Sequence, residues 1–173
     1  MARSIVMAVF TVVLLACTPI LSKAVMKAYP LHSAAGNDDV AAIEQLLSGG
    51  TETDARDSSG ATALLVATRA NKVRAAQTLI AAGADVNAKD NISDSAYLYA
   101  GARGHLDILK LTLTHGADLK STNRYGGTAL IPAAERGHVQ TVRTLIEAGV
   151  DVDHVNNLGW TSIAGGHYSW LRR

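Results

Sequence analysis

Cysteine occurs once, at Cys17, and nowhere after it. The body of the chain therefore has no disulfide, whichever compartment it occupies. Aromatic residues are scarce as well, with one Phe, two Trp and five Tyr among 173 residues, as expected where short helices pack too closely for rings. No excess of charge exists either. Sixteen Lys and Arg face fifteen Asp and Glu, and without residues 1–24, which hold Arg3 and Lys23 and no acid, fourteen face fifteen. That near-neutral balance gives no electrostatic footprint for DNA, RNA or an anionic membrane surface. A phosphate-binding glycine loop and a Gly-x-Ser-x-Gly elbow are absent, and so is a serine or cysteine nucleophile with a recognisable base.

What the chain does have is a structural unit at residues 123–155. Thr128 is placed to cap a first helix whose apolar face is Ala129, Leu130, Ala133 and Ala134. Gly137-His138 breaks it, and a second helix is expected from about Val139 to Ala148, carrying Val142, Leu145 and Ile146. Gly149 then fits the left-handed position that ends a helix. Helices this short cannot bury enough apolar surface alone, so the unit must stack on copies of itself.

The copies recur every 33 residues. Tyr29, Thr62, Ser95, Thr128 and Thr161 share the cap register, and Asp57, Asp90, Asn123 and Asn156 share the turn register. Gly50, Gly83, Gly116 and Gly149 end the second helices, while Ala34, Ala67, Ala100 and Ala133 mark the packed position of the first. Pieces of three motifs recur with them: Pro30-Leu31-His32 with its variants Thr62-Ala63-Leu64 and Thr128-Ala129-Leu130, Gly104-His105 with Gly137-His138, and Gly83-Ala84-Asp85-Val86-Asn87.

In these motifs and in its period the chain resembles the ankyrin repeat. The resemblance implies an all-α solenoid of four repeats, at about 28–56, 57–89, 90–122 and 123–155, plus an incomplete fifth at 156–164, within a domain spanning 25–164. It also implies a non-enzymatic protein-binding module without a cofactor. The third repeat departs furthest, with Ser93 replacing the turn glycine and Thr112 at a core leucine position. In the first repeat, Asp38, Asp39 and Glu44 supply the polar surface of an N-terminal cap.

Residues 1–24 stand outside the repeats. Arg3 precedes an apolar run from Ile5 to Ala16 broken only by Thr11, and Ser22-Lys23-Ala24 offers small residues to a signal peptidase. This is the layout of a bacterial secretory signal cleaved before Val25, which places the body in the periplasm. The run is shorter than the ~20 residues that span a bilayer. An alternative is that Leu14-Leu15-Ala16-Cys17 acts as a lipobox, so that Cys17 carries a lipid anchor; otherwise Cys17 is a small apolar residue of the signal.

The six histidines do not form a metal or catalytic pattern, since no pair has i, i+4 spacing or a cysteine partner. The resemblance gives His32, His105 and His138 a structural role, bonding neighbouring backbone. His115 and His154 fall in loops, and His167 falls in an irregular tail at 165–173. The residues left unexplained lie on the turn tips and the exposed side of the first helices, which line the concave face of such a stack. The tips read Ser59, Ile92, Tyr125 and Leu158, with Asp94, Arg124 and Trp160 beside them. Arg103 and Arg136 hold the helix position after the alanines, with Arg69 and Glu135 one residue earlier in their own repeats. Tyrosine, tryptophan and arginine are the residues of protein-binding hot spots. Ile92, Asp94, Arg103, Arg124, Tyr125, Arg136, Leu158 and Trp160 are accordingly the expected contact residues for a protein partner. Tyr97 is expected in the core, and Tyr99 fits the core or the groove equally. An inhibitor or immunity protein would use the same face to block a toxin or an envelope enzyme, whereas a hydrolase or metal enzyme would need a closed cleft around His115 or His154.

The fifth unit opens in register at Asn156 and then meets Gly165-Gly166 where a helix should continue, at about 1 kcal/mol per glycine. One permitted back-translation of 163–170, shifted by one nucleotide, encodes Leu-Leu-Glu-Ala-Ile-Ile-Leu-Gly. A frameshifted or truncated version of a longer protein is therefore expected. Leu130, Val142 and Leu145 would then lack their successor, leaving a frayed end.

Overall fold

A computed structural model describes residues 29–162. The expected export segment 1–24 with Cys17, the end of the partial fifth repeat and the tail 165–173 lie outside the described residues. Among those described, eight helices follow one another: α1 (Pro30–Gly36), α2 (Val40–Ser48), α3 (Ala63–Arg69), α4 (Val73–Ala81), α5 (Ala96–Arg103), α6 (Leu106–Thr114), α7 (Leu130–Glu135) and α8 (Val139–Glu147). The two helices of each repeat pack together. The first helices stack in one layer (α1, α3, α5, α7) and the second helices in another. One isolated bridge, Arg56 to Thr62, is the β pairing found among the described residues. The fold is the all-helical solenoid expected from the 33-residue period.

The period also orders the core. Leu31, Leu64, Tyr97 and Leu130 occupy one register of the first helices and are each at most 1% exposed. Ile43, Ala76 and Leu109 do the same in the second helices, with Leu79, Thr112 and Leu145 one turn later, all at 0%. Each buried leucine contributes about 1.5–3 kcal/mol over an exposed one. Thr112, the expected weak point, satisfies its hydroxyl by donating to Leu109 O at 2.8 Å. Tyr97 does not: its hydroxyl is buried with no hydrogen-bond partner.

Three expectations need correction. Thr62 Oγ1 and Ser95 Oγ do accept from Leu65 N (3.3 Å) and Leu98 N (3.2 Å). Thr128, however, does not cap; α7 starts later, from Ala129, and Thr128 Oγ1 is buried and unpartnered. The cause is Pro132. At the same register Val66 N donates to Thr62 O and Tyr99 N to Ser95 O, and proline has no N–H to give Thr128 O. Second, Leu130 and Leu145 are fully buried, and Val142 is half-buried. The fourth repeat instead exposes Val139 (45%) and Ile146 (49%). Third, Asp38 is not free polar surface, whereas Asp39 and Glu44 are exposed as expected. Asp38 accepts from Ala75 N in the next repeat, and Asp39 caps α2 through Ala42 N.

Candidate functional site

Each turn tip is built on one side-chain oxygen. Asp57, Asp90, Asn123 and Asn156 each accept two backbone N–H bonds, from the residues two and four positions on, at 2.8–3.1 Å. The residue before the last of these is left-handed: Gly60, Gly126 and Gly159, and in the third repeat Ser93 at φ 64°. Neighbouring tips then join, with Asn91 N donating to Ser59 O (3.1 Å) and Asn157 N to Tyr125 O (2.9 Å). Among the described residues no matching bond runs from Arg124 N to Ile92 O. A Cβ on Gly60 or Gly126 would fall 2.4 Å or 2.5 Å from the asparagine Oδ1 that closes over it. Ser93 carries that Cβ, and at its junction the ladder is open.

The junction between the third and fourth repeats is sparse in other ways. Asn87 ties the second repeat to the third, donating to Gly116 O (2.9 Å) and accepting from Asp118 N (2.8 Å), and Lys89 Nζ donates to Thr122 O (2.8 Å). One period on, Asn87 becomes Lys120, whose ammonium has no acceptor to offer. Among the described residues a single hydrogen bond crosses from repeat three to repeat four, Arg136 Nη1 to Ala102 O at 2.6 Å.

From this junction a groove of about 360 Å³ extends over the fourth repeat to the turn tip of the fifth, at Asn156, Leu158 and Trp160. Seven of the eight expected contact residues line it: Asp94, Arg103, Arg124, Tyr125, Arg136, Leu158 and Trp160. Tyr125, Leu158 and Trp160 are 49%, 58% and 43% exposed. Ile92 stands apart on the preceding tip, 45% exposed and outside the lining. Tyr99, which fitted core or groove equally, lines the groove. The Arg69 and Arg103 guanidiniums lie 5.7 Å and 5.5 Å from its ring centre, and Arg124 lies 4.8 Å from that of Tyr125. The floor adds Ile131 and Pro132, which sequence reasoning did not single out because an apolar residue on a short helix looks like core.

Charge is unevenly satisfied here. Arg69 pairs with Asp90 at 2.5 Å and approaches Asp94 at 3.7 Å. Burial, followed by the neighbouring Asp90 charge, pushes the Asp94 carboxyl above the ordinary range despite Arg69 and Arg124. Burial also acts to raise Asp57, yet hydrogen bonds from Ser59 and Ala61 outweigh it and hold its carboxyl low. Arg103, Arg124 and Arg136 have no carboxylate within ion-pair distance among the described residues.

The histidines divide. His32 Nε2 meets Ala61 O at 2.9 Å, bonding the next repeat as expected. His154 Nε2 meets Gly126 O at 2.6 Å, and His115 Nδ1 meets Leu111 O of its own helix at 2.8 Å. His105 and His138 do not bond backbone through their rings. The His138 ring instead lies over Gly104, where a Cβ would fall 2.7 Å from it, and the His105 ring lies 6.2 Å from that of Tyr99. Burial, then the Arg103 and His138 charges, lowers the His105 pKa. Among the described residues no three His, Cys, Asp or Glu side chains gather to hold a metal ion.

Comparison with known proteins gives a consistent result. The family model for ankyrin repeats (three copies) matches residues 10–90 and 96–164. An ankyrin repeat domain from Acinetobacter baumannii AYE, solved at 1.00 Å, is 73% identical over 78% of this chain and 69% of its own, with a TM-score of 0.76. A second solved ankyrin repeat protein, EF0377, is 44% identical with the same coverage of each chain and a TM-score of 0.73. No curated protein matches.

Proposed function

Because this chain belongs to the ankyrin-repeat family, a family of protein–protein interaction modules, we propose that it is a non-enzymatic binding module of the bacterial cell envelope that holds its partner protein on the concave face. The observation that carries this is the convergence of Tyr125, Trp160, Leu158, Arg103 and Arg136 on one groove. Large exposed aromatic and guanidinium groups beside an apolar floor are what a hot spot is made of. The stack is ordered before association, so little conformational entropy is lost on binding. The envelope assignment rests on residues 1–24, whose charged start, apolar run and small-residue end suit export, with Cys17 as an alternative lipid anchor.

The test combines fractionation with capture. A C-terminally tagged full-length protein should be recovered from the periplasmic fraction, crosslinked to a partner. Tyr125→Ala with Arg136→Ala should reduce that recovery about tenfold or more while the helical circular dichroism is kept. Unchanged recovery from the double variant would remove the concave face from the assignment, and retention in the cytoplasm would remove the envelope.

A further inference from the structure

We propose that the groove running from the third repeat over the fourth takes an extended, acidic segment of the partner, whose Asp and Glu carboxylates pair with Arg103, Arg124 and Arg136. This rests on the concave-face reading above and adds the chemistry of what is bound.

In the second repeat Arg69 is neutralised by Asp90, at the turn register of the following repeat. That register continues as Asn123 and Asn156, which build the same turn through an amide oxygen. The tips therefore persist while the carboxylate disappears. The same span gains Arg103, Arg124 and Arg136, three guanidiniums against the groove's own Asp94 and Glu135, and among the described residues neither carboxylate lies within ion-pair distance of them. An amide keeps the turn and leaves those cations available, whereas an aspartate would supply an internal carboxylate.

The rim shows what kind of acid fits. The three arginines come from different elements: the end of α5, a turn tip, and the residue after α7. Separated cations suit several carboxylates strung along a chain better than one compact anion. The open ladder at Ser93 leaves Arg124 N–H and Ile92 C=O without the tip-to-tip bond made at the flanking junctions, a donor and an acceptor that an extended backbone can use. The near-neutral charge of the whole chain lacks the broad field that a phosphodiester strand follows.

A displayed library of random twelve-residue peptides, panned against the full-length protein, tests this. Selected peptides should be enriched in Asp and Glu. By fluorescence anisotropy they should bind about tenfold more weakly to Arg103→Gln/Arg124→Gln, a variant that leaves the Arg136–Ala102 bond in place. Their affinity should also fall as salt rises. Peptides without acidic enrichment that still need Tyr125 and Trp160 would overturn the proposal and leave the concave face standing. Peptides indifferent to both Arg103→Gln/Arg124→Gln and Tyr125→Ala/Trp160→Ala would overturn both. Failure to select any peptide, or equally tight arginine-dependent binding of a single-stranded oligonucleotide, would also overturn the acidic-segment proposal.

Discussion

Pro132→Val, which gives the fourth repeat the residue that Val66 supplies in the second, is expected to stabilise the chain even though it changes a proline inside a short helix. Pro132 removes the N–H that would donate to Thr128 O, and it leaves Thr128 Oγ1 buried without a partner. Restoring the amide returns one backbone hydrogen bond, about 1 kcal/mol. The helix can then begin one residue earlier, and Thr128 can cap it by accepting from Ile131 N, as Thr62 does from Leu65 N; a cap contributes about 1 kcal/mol. Against this, losing proline frees the unfolded chain, at about 0.4–1 kcal/mol. The balance is a gain of about 1 kcal/mol, or about 2–4 °C in Tm for a chain of this size. Urea unfolding followed by circular dichroism should show a higher midpoint at an unchanged slope, and the amide at position 132 should be protected from exchange. A midpoint at or below that of the parent would refute the argument that Pro132 is what silences the Thr128 cap.

Three further outcomes follow. Lys120→Asn should let position 120 bridge to the fourth repeat as Asn87 bridges to the third, raising stability by about 1 kcal/mol for the added bonds; no change in the urea midpoint would count against the register argument. Tyr97→Phe removes a buried hydroxyl that has no partner and should be neutral or stabilising by up to about 1 kcal/mol, whereas a loss would show that the hydroxyl is satisfied by bound water. The folded-state pKa of His105 is lowered, so below about pH 6.5 the unfolded chain takes up that proton first. Its contribution is full above that pH and falls as pH drops towards the lowered folded value. His105→Gln should therefore flatten the loss of stability between pH 7 and 5, and parallel profiles for the two proteins would contradict the shift.

Much of the architecture could be read from the period, because a residue repeated at the same turn must meet the same environment. Ala34, Ala67, Ala100 and Ala133 are buried in common, and Gly50, Gly83, Gly116 and Gly149 are all left-handed. The period failed where a side chain's effect lies four residues away or across a junction. Thr128 matches Thr62 in type, but its role depends on Pro132. His105 and His138 share one motif position, yet neither ring finds a backbone acceptor. Leu130 and Leu145 looked available to a successor because a sequence does not say which neighbour a core residue faces. Among site residues, the tips were clear because Ile92, Tyr125 and Leu158 put apolar side chains at a turn position that faces solvent. Tyr99 was ambiguous because a residue two places after a core position on a helix lies between the buried and exposed sides.

Among the described residues one hydrogen bond joins the third repeat to the fourth, and this has a mechanical consequence. Repeats one to three are laced by side chains such as His32, Asp38 and Asn87, so they should transmit strain as one stiff rod. At the fourth repeat the lacing drops to Arg136, and stiffness drops with it. Under tension along the stack, extension would concentrate at that joint first, where the two sides of the groove belong to different repeats. A ligand lying across the joint would act as a splint, so the load needed to part the repeats would report directly on whether the groove is filled.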